Sequence, residues 1–82
     1  MRFKRFSPRR LMQARERSGH TRASTIEALG RAGYDVSIGS LQNWERGWRK
    51  TPAEALSPLA FVYKTTTEDF YGGPHWRRDP AT

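Results

Sequence analysis

Apolar residues in this chain recur at helical intervals and nowhere alternate long enough to predict a strand. Ile26 and Leu29 are three apart, as are Leu41 and Trp44, while Ala55, Leu56, Leu59, Ala60 and Tyr63 follow at threes and fours, the spacing that lines one face of a helix. The polar residues between them punctuate the pattern. Ser7 can cap the free N–H groups of a first turn, Pro8 suits the first helical position, and Phe6 can staple onto Leu11. A first helix is therefore predicted over residues 8–18, ended by Gly19. Thr21 caps a second to about residue 32, ended by Gly33, and Ser37 caps a short third that stops at Gly47. Pro52 opens a fourth that reaches Tyr63. Pro58 lies inside it, and an interior proline costs about 3 kcal/mol or more, which predicts a kink or a restart with Ser57 as cap. Thr66 caps a short fifth helix that turns Phe70 and Tyr71 inward, with Glu68 and Asp69 in its first turn. Gly72-Gly73-Pro74 ends the order.

The fold class is accordingly all-α: a compact bundle of about five short helices over residues 6–72, with a flexible basic arm at 1–5 and a flexible tail at 73–82. A chain of 82 residues without cysteine relies on one small core, since a domain of this size buries only about 60% of its unfolded surface. No large catalytic cleft is expected. No apolar run approaches the roughly 18 residues of a membrane span.

Charge changes the picture when it is located along the chain. Of the net +7, residues 1–22 account for all: Arg2, Lys4, Arg5, Arg9, Arg10, Arg15, Arg17 and Arg22 stand against Glu16 alone, and the remainder is balanced. A concentrated positive field suits a polyanion, of which nucleic acid is the commonest inside cells. An anionic membrane would require an apolar face beside the charge, and Phe3 and Phe6 are too sparse to supply one.

The stretch VSIGSLQNWERGWR, Val36 to Arg49, neither alternates like a strand nor repeats like a coiled coil. Together with Phe6-Ser7-Pro8, Leu11, Ala14-Arg15-Glu16, Gly19-His20-Thr21, Leu29, Pro52, Leu59-Ala60 and Phe70, its Val36-Ser37, Leu41 and Trp44-Glu45-Arg46-Gly47 resemble the lambda-repressor and Cro type of helix-turn-helix domain, a family of small phage and bacterial DNA-binding regulators. The resemblance implies double-stranded DNA as partner, the third helix in the major groove, and a bacterial cytoplasmic, nucleoid-associated setting. It implies no enzyme activity. Two departures stand out: Arg31-Ala32-Gly33-Tyr34-Asp35 lengthen the connection before the third helix, and no arginine or lysine lies between Ser37 and Glu45 to read guanine.

The residues agree with that implication. A recognition helix needs one apolar side and an opposite side of short polar groups. Ile38, Gly39, Ser40, Gln42 and Asn43 are the base-reading candidates: Gln42 and Asn43 can bond an adenine edge bidentately, Ser40 is permissive, and Ile38 can touch a thymine methyl. Ser37, Arg46, Arg49 and Lys50 are candidates for phosphate, as is Arg22 at the start of the second helix, where a helix N-terminus and a guanidinium can meet one anion. Arg2, Lys4 and Arg5 form the arm, suited to phosphate or to a minor groove. Trp44 is expected in the core, Glu45 on nearby backbone or arginine, and Trp48 either over the loop or against a strand.

His20 and His75 lie far apart without cysteines, so no metal site, cofactor or small-molecule ligand is expected. The alternative reading keeps the fold but makes its main partner a protein, as in an antitoxin or antirepressor. Phe70, Tyr71 and Trp76 would form that face, or the contact of a weak homodimer.

Overall fold

The computed structural model describes residues 4–74. Four helices follow in order, α1 (Pro8–Arg17), α2 (Arg22–Arg31), α3 (Ile38–Arg46) and α4 (Ala53–Tyr63), then a 3-10 turn at Thr67–Phe70, all framed by strands β1 (Lys4–Phe6) and β2 (Tyr71–Pro74). The caps predicted for the first three helices are in place. Ser7 Oγ accepts from the Arg10 N–H at 3.2 Å, Thr21 Oγ1 from Ser24 at 3.0 Å, and Ser37 Oγ from Ser40 at 3.1 Å.

α1 packs on α3 and on the 3-10 turn, and α2 packs on α3 and α4. One core results, with Leu11, Leu29, Leu41, Leu59 and Phe70 fully buried and Trp44 and Tyr63 nearly so. Thr25 is its polar member: its hydroxyl donates to the Thr21 carbonyl at 2.8 Å and accepts from Tyr63 Oη at 3.2 Å. A buried hydroxyl satisfied in this way costs little.

The five residues that lengthen the α2–α3 connection close α2 with a Schellman turn. The Gly33 N–H donates to the Gly30 carbonyl at 3.0 Å and that of Tyr34 to Leu29 at 2.8 Å, which requires the left-handed φ of +92° at Gly33. Tyr34 and Val36 then pack against the core.

Three expectations are corrected. First, Lys4 and Arg5 of the expected arm and Gly73 and Pro74 of the expected tail lie in paired strands: β1 and β2 pair antiparallel, Phe6 opposite Tyr71 and Lys4 opposite Pro74. Strands of three and four residues are too short to show alternation, and the pairing joins the two ends of the domain, beyond any local pattern. The Ser7 N–H donating to the Phe70 carbonyl at 2.8 Å extends the closure, and Phe6 meets Phe70 and Tyr71 edge-on. Second, α4 continues through Pro58 as one helix, without the restart at Ser57. The carbonyl that proline leaves without a donor is that of Glu54, in an exposed first turn where water can serve it. Third, the fifth element is a single 3-10 turn without a Thr66 side-chain cap; the neighbouring Thr65 hydroxyl bonds Asp69 instead, at 3.1 Å.

Candidate functional site

α3 is held by Leu41, Trp44 and Glu45, all buried. Gly39, Asn43 and Arg46, at intervals of four and three, share the opposite side. Ile38 is 47% exposed, Gly39 and Arg46 are exposed, and Ser40, Gln42 and Asn43 are half-buried. The five base-reading candidates thus all reach the surface. Ser37 caps the helix and also donates to Ser40 Oγ at 3.1 Å, so Ser37 is tied to the helix start. Among the described residues, neither the Gln42 nor the Asn43 side-chain amide is engaged in a hydrogen bond. At the far end Gly47, at φ +77°, stops the helix and sends the Trp48 N–H back to the Asn43 carbonyl at 2.9 Å.

The acid behind this face organises the arginines. Glu45 has a side chain with no exposure. Arg15 grips it through Nε at 2.7 Å and Nη2 at 3.3 Å, and Arg22 Nε adds a third bond at 3.0 Å. Arg15 Nη1 also donates to the His20 carbonyl at 3.0 Å, so one carboxylate ties α1, α2 and α3 together. The bond to Glu45, working against desolvation, raises the Arg15 pKa further above its ordinary value. Arg22, a phosphate candidate in the sequence, thus gives its Nε to Glu45 while its side chain stays 32% exposed, a second charge-assisted donor to the buried carboxylate. Elsewhere on α1, Arg17 bonds Asp69 and Arg10 lies 4.0 Å from it. Desolvation would raise the Asp69 pKa, but the bonds from Arg17 and Thr65 and the two positive charges hold it below the usual range.

Internal pairing leaves a different set of cations for solvent. The ion pairs among the described residues use Arg10, Arg15, Arg17 and Arg22, and none uses Arg5, Arg46, Arg49 or Lys50. Arg46 stacks over the ring of Trp48 at 4.9 Å, and Trp48 is 68% exposed, which places this tryptophan at the surface beside α3. Arg5, Arg49 and Lys50 surround a cleft of about 470 Å³. Its inner wall is Phe6, Pro8 and Thr51, where β1 and the start of α1 meet the segment after α3. The sequence identified Arg5, Arg49 and Lys50 singly, but Thr51 carried no signal, since a lone threonine before a proline reads as loop. Arg2 lies outside the described residues, and Lys4 is in β1.

Other chemistry is sparse. Among the described residues no three His, Cys, Asp or Glu side chains gather as a metal site, and no helix is long and apolar enough to cross a membrane. His20 Nδ1 bonds Ser24 Oγ at 2.8 Å; His75 lies outside the described residues. A larger open groove of about 650 Å³ lies between α2 and α4 beside Phe61, which is 74% exposed. Phe70 is corrected from a contact candidate to a core residue, 0% exposed; Tyr71 is half-buried in β2, and Trp76 lies outside the described residues. Comparison with known proteins finds no family model, no curated protein and no solved structure that matches the chain.

Proposed function

We propose that this chain binds double-stranded DNA sequence-specifically, as a small bacterial or phage regulator of the helix-turn-helix type, with α3 in the major groove. The carrying observation is the division of labour around α3. Its inward side is locked by Leu41, Trp44 and the arginine-clamped Glu45, while its outward side offers unengaged amides at Gln42 and Asn43 next to cations without internal partners. The groove, about 12 Å wide, admits such a helix, and the small residues Gly39 and Ser40 permit close approach. Gln42, Asn43, Ser40 and Ile38 face base edges; Arg46, Arg49, Lys50 and Arg5 meet phosphates and set the register. Two copies on half-sites about one helical turn apart would give the specificity that one short helix lacks. Exposed Phe61 favours a second reading, in which the same fold is chiefly a protein-binding module.

Fluorescence anisotropy with duplex DNA, single strands and RNA is the test. Duplex should bind best, with affinity falling by orders of magnitude between about 50 and 200 mM salt, as expected for several phosphate contacts. A flat salt response, or no duplex binding, overturns the DNA reading and leaves the protein-binding one.

A further inference from the structure

α4 turns one stripe away from the core. Glu54, Ser57, Phe61 and Lys64 are all exposed, at intervals of three and four that bring them onto one side of the helix. Among the described residues neither Glu54 nor Lys64 forms an ion pair. A lone exposed phenylalanine is ordinary on a protein surface, but the order of its neighbours here is self-complementary. Ser57 and Phe61 lie two residues either side of Leu59, and Glu54 and Lys64 five. The inner pair joins a small residue to a large one, and the outer pair joins an acid to a base. Within one helix Glu54 and Lys64 are about 15 Å apart, too far to meet. Lys64 holds its place at a left-handed φ of +56°, the C-cap conformation in which glycine is the usual residue.

We propose that α4 pairs antiparallel with α4 of a second copy of this chain across this stripe, about a twofold axis at the level of Leu59. A half-turn about that axis brings the same patch of both copies together, as an isologous contact requires. It sets Phe61 of each copy over Ser57 of the other, where the small side chain leaves room for the ring, and sets Glu54 of each opposite Lys64 of the other. Pro58, half-buried beside Ser57, widens the apolar contact. Arg31 lines a groove with Phe61 and Lys64 and adds a second cation at the end that meets the other copy's Glu54. A parallel pairing would oppose acid to acid and base to base, so the charges select the antiparallel one. The proposal rests on the DNA reading for its use of two copies and places their contact on α4 instead of at Tyr71. One helix face is a small interface, which makes the pair weak in the free chain.

Mixing two charge variants tests both the partner and the register. Glu54→Lys alone sets lysine against lysine twice in the pair, and Lys64→Glu alone sets glutamate against glutamate. Sedimentation equilibrium without DNA should therefore show each variant's association constant lowered about tenfold or more from the parent's. Mixed one to one, the two variants restore both oppositions and should form a heterodimer about as tight as the parent pair. Both native charges also suit the ends of their own helix, but that effect lies within one chain and produces no pairing in the mixture. Phe61→Ala, at a side chain already 74% exposed, should lose pairing and keep the parental melting curve. Glu16→Lys, exposed on α1, changes net charge as Glu54→Lys does and should pair as the parent chain does. A parent chain that is monomeric up to about 1 mM, single variants or Phe61→Ala that pair as it does, or a mixture that stays monomeric would each overturn the contact. Duplex binding, measured separately by anisotropy, then decides the DNA reading by itself: salt-dependent binding by a chain that does not pair through α4 keeps that reading and removes only this interface.

Discussion

Glu45 holds a charge at zero side-chain exposure, and its two arginines do not hold it equally. Arg15 makes two bonds to it and one to the His20 carbonyl at 11% side-chain exposure, whereas Arg22 makes one at 32%. Removing one member of a buried pair leaves its partner uncompensated, at about 3–5 kcal/mol, and this rivals the whole stability of a small domain. Glu45→Ala should therefore be largely unfolded, Arg15→Ala severely weakened, and Arg22→Ala least affected, because the exposed part of its site admits water. Urea denaturation of the three variants gives the order, and an Arg22→Ala as damaging as Glu45→Ala would show that Arg15 alone does not hold the acid.

At the scale of the element, α3 has two sides with separable tasks. Trp44, 6% exposed, fills the core, and truncating a buried aromatic costs about 3–5 kcal/mol. Asn43 and Gln42 have side chains that bond nothing within the described fold. Trp44→Ala should unfold, as circular dichroism will show, whereas Asn43→Ala and Gln42→Ala should keep parental melting curves and lose about 1–3 kcal/mol of discrimination between a selected target and random DNA. An Asn43→Ala that retained the parental specificity ratio would remove it from the base-reading set. The outward position of α3 depends in turn on its connections: the Schellman turn at Gly33 starts the approach and Gly47 ends the helix within contact of Pro8, so α1 fixes where the cationic segment leaves.

At the scale of the molecule, ionisable groups bracket stability from both sides of neutrality. Asp69, tied to Arg17, Thr65 and Arg10, has a lowered pKa; its contribution is fully present above the unfolded value of about 3.9 and is lost as pH falls through the folded one. Tyr63 behaves in the opposite sense. Burial, partly offset by the bond to Thr25, pushes its phenol from 10.0 up to about 12, so its contribution is present below the unfolded value and is lost as pH rises from 10 toward 12. Melting temperature should be level between these limbs. Tyr63→Phe should flatten the alkaline one, and ultraviolet titration should find one tyrosine that ionises only near that upper value. An unchanged alkaline limb in Tyr63→Phe would assign it to other groups.

Much of this architecture is set within a single helical turn, and there the sequence decides by itself. Ser7, Thr21 and Ser37 cap because their side chains reach N–H groups three residues on. Gly33 and Gly47 stop helices because the backbone needs a left-handed residue there, and Leu41 and Trp44 turn inward because three residues make nearly one turn. From these alone follow the first three helices, the burial of Trp44 and the outward placement of Gly39 and Asn43. The allocation of charge is different. Eight basic residues precede position 23, all equivalent in composition, and Glu45 lies 30 and 23 positions from the two arginines that reach it. Coulombic attraction does not choose among them until packing brings particular ones within hydrogen-bonding distance. The same holds for β1 and β2, whose few residues carry no periodic signal and pair only because the ends of the domain meet, and for the cleft, whose Arg5 and Lys50 become neighbours only through that closure. Tertiary structure thus decided which cations are tied up in ion pairs within the described fold, since the choice depends on distances that no local pattern specifies.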